Sequence, residues 1–193
     1  LAPLGQRIAV AVDDAFAFCY PHLLNGWREA GAEISYFSPL ADEGPVPDAD
    51  AIFLPGGYPE LYAPQIAAAQ HFKASMRDAA LRNVIIYGEC GGYMVLGDGL
   101  IDAEGKNHEM LGLLPLSTSF QKRKRHLGYR HLKPLTGSPW QIPLTGHEFH
   151  YSVEVNRGEG EPLFDMSDAL GTDLGSAGLR VGSVAGSYCH VID

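Results

Sequence analysis

Along the first half of the chain, short apolar runs alternate with stretches whose apolar residues recur at helical spacing. RIAVAV (7–12) contains β-branched residues and predicts a buried strand. In YPHLLNGWREAG (20–31), Leu23, Leu24 and Trp27 fall on one helical face, and Gly31 stands where a helix C-terminus favours glycine. EISYFS (33–38) alternates and predicts a second strand, and ADAIFLPGG (49–57) predicts a third that ends in a glycine turn. ELYAPQIAAAQHFKASMRDAAL (60–81) is helical in composition, with Pro64 near its start. NVIIYGEC (83–90) predicts a fourth strand, followed by a helix from GGYMVLG (91–97). This alternation predicts an α/β fold with a parallel sheet covered on both faces, and function gathered at the carboxyl ends of its strands.

The second half changes character. Gly and Pro become frequent, and LLPLSTSF (113–120), GYRHLKPL (128–135), IPLTGHEFHYSVE (142–154) and GLRVGSVAGSYCHV (178–191) look like strands joined by turns. They predict antiparallel strands added to the first sheet. No internal repeat is visible.

The 193 residues suit one domain with a full core, and 46 % hydrophobic with 19 % charged residues is an ordinary globular composition. A formal net charge of -9 argues against nucleic acid as a partner, since phosphate binding needs a basic face. The one basic cluster, Lys122 to Arg125, reads as a solvated loop or as a contact for a polycarboxylate. No apolar run approaches the roughly 18 residues of a membrane span, and no signal peptide is visible. Three cysteines, Cys19, Cys90 and Cys189, do not make a disulfide framework, which fits a reducing cytoplasm. The chain begins at Leu1 without an initiator Met, so a piece of a longer chain is expected.

Gly88-Glu89-Cys90-Gly91-Gly92, between a strand and a helix, has the layout of a nucleophile elbow. Residues two either side of the nucleophile pack together there and must be small. The first amides of the helix are expected to favour the thiolate, and the Gly91 N–H to face a developing oxyanion. By spacing alone, a buried structural cysteine in a glycine turn fits equally well. A cysteine nucleophile needs a base, and His147, His150 and His190 are the candidates among eight histidines. His147 and His150 with Glu148 could instead ligate a metal, but a three-residue spacing in an extended segment sends the two rings to opposite faces, so no metal is expected. LPGGYPE (54–60) reads as a turn, or as a second source of oxyanion-binding amides. Glu60 and Glu89 are candidate pocket carboxylates for an ammonium group, and Cys19 and Cys189 read as small core residues.

Together the elbow, the glycine pair and the late GSY-x-H resemble class I glutamine amidotransferases. Segments 9–62, 88–115, 146–152 (GHEFHYS) and 182–191 (GSVAGSYCHV) are more closely similar to the glutaminase domains of cobyrinic and hydrogenobyrinic acid a,c-diamide synthases. The resemblance covers nearly the whole chain. It implies a flavodoxin-like three-layer sandwich, with a mainly parallel central sheet and antiparallel strands added in the C-terminal half. It implies Cys90 as nucleophile, His190 as base, and the N–H groups of Gly57 and Gly91 as the oxyanion hole. Gly56, Tyr58, Glu60, Glu89, His150 and Tyr151 are the expected substrate-binding residues. Glutamine would be the substrate. The ammonia would pass to an ATP-dependent synthetase domain that binds ATP and Mg2+ and amidates a corrinoid polycarboxylate. The chain itself needs no cofactor under this reading and carries no G-x-x-x-x-G-K-[ST]; Asn107 follows Gly105-Lys106.

The chain departs from the wider class at two points. The usual glutamate two residues past the histidine is absent; Val191, Ile192 and Asp193 follow His190, which leaves Asp193 as a candidate partner for the imidazole. Met94 stands where a substrate-binding glutamine is common. Two alternatives stay open: a silent docking domain of the same fold, or a DJ-1-like or protease-like cysteine hydrolase.

Overall fold

A computed structural model describes residues 1–193. The first half runs β1 (Arg7–Ala11), α1 (Pro21–Glu29), β2 (Glu33–Phe37), β3 (Ala51–Leu54), α2 (Ala63–Ala68), α3 (Gln70–Leu81), β4 (Ile85–Glu89) and α4 (Gly91–Leu96). β1 lies between β2 and β3, and β3 pairs with β4, all in parallel. Every residue of β3 is buried, as are all but the first of β1 and β4. Strands so uniformly apolar require cover on both faces, and alternate side chains supply two separate cores. Ala9, Ala11, Ile52, Leu54 and Ile86 face one core with Ile66, Phe72 and Met76 of α2 and α3. Ile8, Val10, Phe53 and Tyr87 face the other with Leu23, Leu24 and Trp27 of α1.

The expected helix over 60–81 is broken. A short 3-10 turn at Pro59–Leu61 precedes α2, and the chain bends at Ala69 before α3. Asp42 explains the second start: its Oδ1 accepts the Phe72 N–H at 2.9 Å, supplying from 30 residues away a partner that the first helical turn lacks. Lys73 is buried and bonds Glu109 at 2.8 Å.

The second half runs β5 (Gly99–Ile101), β6 (Asn107–Glu109), β7 (Leu116–Ser119), β8 (His126–Pro134), β9 (Leu144–His150), β10 (Val153–Arg157), β11 (Phe164–Asp168), β12 (Asp173–Ala177), β13 (Leu179–Val181), β14 (Val184–Ser187) and β15 (His190–Val191). Only β13 and β14 join the first sheet, whose order is β13-β14-β4-β3-β1-β2. The others form two further sheets, β10-β7-β5-β6 and β12-β11-β8-β9-β15, which corrects the expectation that they extend the first. The reason is apolar supply: Leu132, Leu144 and Phe164 of the third sheet pack onto the α1 core, while Leu100 and Leu116 of the second pack onto the other. Both sheets cover the central one instead of lengthening it. No helix is long and apolar enough to cross a membrane.

Candidate active site

β4 ends at Glu89 and α4 begins at Gly91, so Cys90 alone makes the turn. Its backbone has a positive φ of 46°, with ψ -100°, a region that side-chain-bearing residues rarely adopt. A non-glycine residue held there stores on the order of 1–3 kcal/mol of strain, which the packed surroundings sustain. The flanking glycines show how. A Cβ on Gly88 would stand 2.8 Å from the Gly92 carbonyl carbon, and one on Gly92 would stand 2.0 Å from the Leu54 carbonyl oxygen. The elbow thus rests against β3 with no room for a side chain.

Cys90 opens onto a cleft of about 100 Å³ lined also by Phe18, Gly57, Tyr58, Glu60, Met94, Phe120, His147, Phe149, His150, Tyr151 and His190. The cleft sits beyond the carboxyl ends of β3 and β4, where open α/β sheets bind ligands. His190 enters from β15, paired in antiparallel register with His147 of β9. The Gly57 N–H has no hydrogen-bond partner in the protein, and a Cβ on Gly91 would lie 2.9 Å from the Gly57 nitrogen. The Gly57 nitrogen therefore lies close to Gly91, the residue that follows Cys90. The loop before α1 holds this arrangement: Phe18 N–H donates to Gly56 O at 2.9 Å, and Tyr58 N–H to Ala15 O at 3.0 Å.

Cys90 and His190 share the cleft, yet the thiol makes no hydrogen bond to the ring; it donates to the Phe149 carbonyl at 3.8 Å. Burial pushes the thiol up to about 12; the Gly91 N–H opposes this, and Glu60, Glu89 and Glu148 add to it. Burial, then the neighbouring His147 and His150, push His190 down to about 3. Both shifts favour the uncharged forms, because desolvation outweighs the amides at the start of α4.

Several expected site residues lie elsewhere than in the cleft wall. Gly56 lies beneath the His190 ring, where a Cβ would stand 2.3 Å from Cε1. Glu89 does not line the cleft. It is buried and accepts the Val191 N–H at 3.1 Å, so it anchors the strand that carries His190. Asp193 accepts a hydrogen bond from the Thr145 hydroxyl and is not the partner of His190. Tyr58, Glu60, His150 and Tyr151 do line the cleft. His147 and His150 point apart, as the spacing predicts: His147 stacks on His190, and His150 stacks on Tyr188 at 3.7 Å between ring centroids. Residues 122–125 are exposed; the Arg123 charge partly offsets the rise that burial imposes on Glu60. Sequence reasoning missed Phe18, Phe120 and Phe149 in the cleft. Nothing local marks them, because each arrives on a loop or strand end set by distant packing.

Burial pushes Glu89 up to about 8, against the pull of the Val191 N–H. The native protein then keeps a proton that the unfolded chain releases above the ordinary carboxylate range. Its stabilising contribution is complete below about pH 4.5 and is lost as the pH climbs toward 8. Glu89→Gln should remove that loss. Between pH 5 and 8 the wild-type melting temperature is expected to fall relative to the variant by about 5 °C or more. Parallel melting curves across that range would show that Glu89 is ionised throughout.

The fold is shared with solved glutamine amidotransferases. One superposes with a TM-score of 0.68 at 18 % identity, covering 96 % of this chain and 90 % of its own. Another, from Thermotoga maritima, gives 0.62 at 14 % identity, covering 95 % and 75 %. Elbow, cleft and sheet order thus define a glutamine amidotransferase fold. The chain belongs to the CobB/CobQ-like glutamine amidotransferase domain family, whose pattern matches residues 7–193. Hydrogenobyrinate a,c-diamide synthase of Brucella anthropi is 65 % identical over all 193 residues, and the aligned part is 44 % of that protein. The Rhizobium meliloti enzyme of the same name is 61 % identical, with 45 % of it aligned. The chain therefore spans less than half the length of these curated relatives.

Proposed function

We propose that this chain hydrolyses the side-chain amide of glutamine and delivers the ammonia to an ATP-dependent synthetase domain acting on a hydrogenobyrinate-like polycarboxylate. Cys90 Sγ bonds to the amide carbon while His190 takes the thiol proton. The carbonyl oxygen becomes an oxyanion facing the N–H groups of Gly57 and Gly91. The C–N bond then breaks, His190 returns the proton to the departing nitrogen, and ammonia leaves a thioester on Cys90. Water cleaves the thioester to glutamate and free thiol. Tyr58, Glu60, His150 and Tyr151 line the path that glutamine would occupy. ATP and Mg2+ belong to the synthetase domain in this reading, which activates the a and c carboxylates.

The observation that carries the reading is a strained, positive-φ Cys90 opening into one cleft with His190 and the unpartnered Gly57 amide. The relatives' names support the acceptor assigned to the synthetase. Burial favours the neutral thiol, so in this reading proton transfer to His190 accompanies attack. Incubation with a diazo-ketone analogue of glutamine, followed by mass analysis of peptides, tests this. Stoichiometric labelling at Cys90, prevented by glutamine, is expected. A folded protein that stays unlabelled would instead be a docking domain.

A further inference from the structure

His190 has no carboxylate partner. Its Nδ1 is buried without a hydrogen bond, Asp193 is engaged by Thr145, and Glu89 holds the backbone of Val191. A general base that must collect one proton and return it to another atom needs a fixed ring, and β15 is only two residues long. What touches the ring is aromatic. His147 lies flat against it, with centroids 4.7 Å apart and planes 9° apart. Phe18 meets it edge-on at 4.9 Å, and the Gly56 backbone closes another side. His147 is itself held: its Nε2 lies 2.5 Å from the Tyr20 hydroxyl, and Phe18 packs edge-on against it at 6.0 Å.

We propose that His147, fixed by Tyr20, is the positioning residue for His190 and acts through the flat face of its ring. The inference deepens the glutaminase reading and rests on it for the reaction served. A tyrosine hydroxyl that donates to Nε2 leaves the His147 proton on Nδ1 and the ring uncharged. Half-burial also disfavours its protonation. An uncharged ring can lie against the imidazolium formed when His190 takes the thiol proton; a charged one would repel it. The antiparallel pairing of His190 with His147 sets the two rings side by side before any substrate enters. Tyr20, His147 and His190 thus form a chain from the start of α1 to the base, joined by one hydrogen bond and one stack.

The test uses Cys90 alkylation by iodoacetamide, which reports proton removal by His190 without requiring glutamine recognition. It is run on wild type, His190→Ala, His147→Ala, His147→Phe and Tyr20→Phe, with melting temperatures as a check on folding. His147→Ala is expected to slow alkylation at least about tenfold, approaching His190→Ala. His147→Phe, which keeps a flat ring without the Tyr20 hydrogen bond, and Tyr20→Phe, which keeps His147 without that bond, should both fall between wild type and His147→Ala. In glutamine hydrolysis, kcat should fall in the same order while KM stays within about twofold. If His147→Ala does not fold, Tyr20→Phe and His147→Phe must each alkylate more slowly than wild type and faster than His190→Ala, and either at the wild-type rate overturns the proposal. Alkylation of His147→Ala at the wild-type rate overturns the proposal. So does His147→Phe as slow as His147→Ala, or an undiminished rate in His190→Ala, which would leave no base to position. If the ranking holds while no variant or wild type hydrolyses glutamine, the positioning role stands and the glutaminase reading falls.

Discussion

Cys90→Ser is expected to lower glutamine hydrolysis by on the order of 10⁴-fold or more while leaving the affinity for glutamine nearly unchanged. Serine fits the same elbow, because the strain at this position lies in the backbone and the side chains are close in size. What changes is proton transfer. A hydroxyl releases its proton far less readily than a thiol, and the base meant to take it is already depressed to about 3 by burial. The thiol tolerates so weak a base because sulfur is polarisable and nucleophilic in its own right. Oxygen is not, so the residual rate should be that of a cleft which binds and orients without a nucleophile. The comparison is ammonia release by the full synthase carrying either residue, with glutamine binding followed by calorimetry. A serine variant within about tenfold of wild type would show that Cys90 is not the nucleophile.

The largest loss of stability is expected from Gly92→Ala. The new Cβ would stand 2.0 Å from the Leu54 carbonyl oxygen and 2.6 Å from its carbon. Both atoms belong to the backbone of β3, fixed by β1 on one side and β4 on the other. No side chain can swing away, so α4 must lift from the sheet and Cys90 must move with it. The cost is about 3 kcal/mol or more, a fall of about 10 °C in melting temperature for a chain of this length. Gly26→Ala is the natural contrast. It lies inside α1 with nothing within 4 Å of the added atom, so it should be neutral or stabilise by about 0.5–1 kcal/mol. Calorimetric melting of the two variants decides the matter. Equal stability would mean that the elbow is not held against β3.

Much of the first half could be read without coordinates. β1, α1, β2, β3, β4 and α4 all fall within the expected segments, because continuous apolar runs and a helical stripe each permit one arrangement. The elbow was equally legible, since close packing of Gly88 against Gly92 leaves a signature in residue size. The division of 60–81 was not legible: the cap that starts α3 is Asp42, and no local pattern reveals a capping residue 30 positions away. Glu89 shows the same limit at the site. Beside a nucleophile it looks like a substrate ligand, but side chains on a strand alternate between faces, and this one turns inward to Val191.

By itself, then, the sequence determined the α/β alternation, the parallel core strands, the elbow around Cys90 and the opposed faces of His147 and His150. Each follows from size, periodicity or backbone freedom over a few neighbouring residues. Only the tertiary structure decided that the later strands build two covering sheets, that burial favours the uncharged forms of Cys90 and His190, and that His147 lies flat on His190 in place of a carboxylate. Burial and cross-strand register control those outcomes, and both depend on parts of the chain that meet only when it has folded.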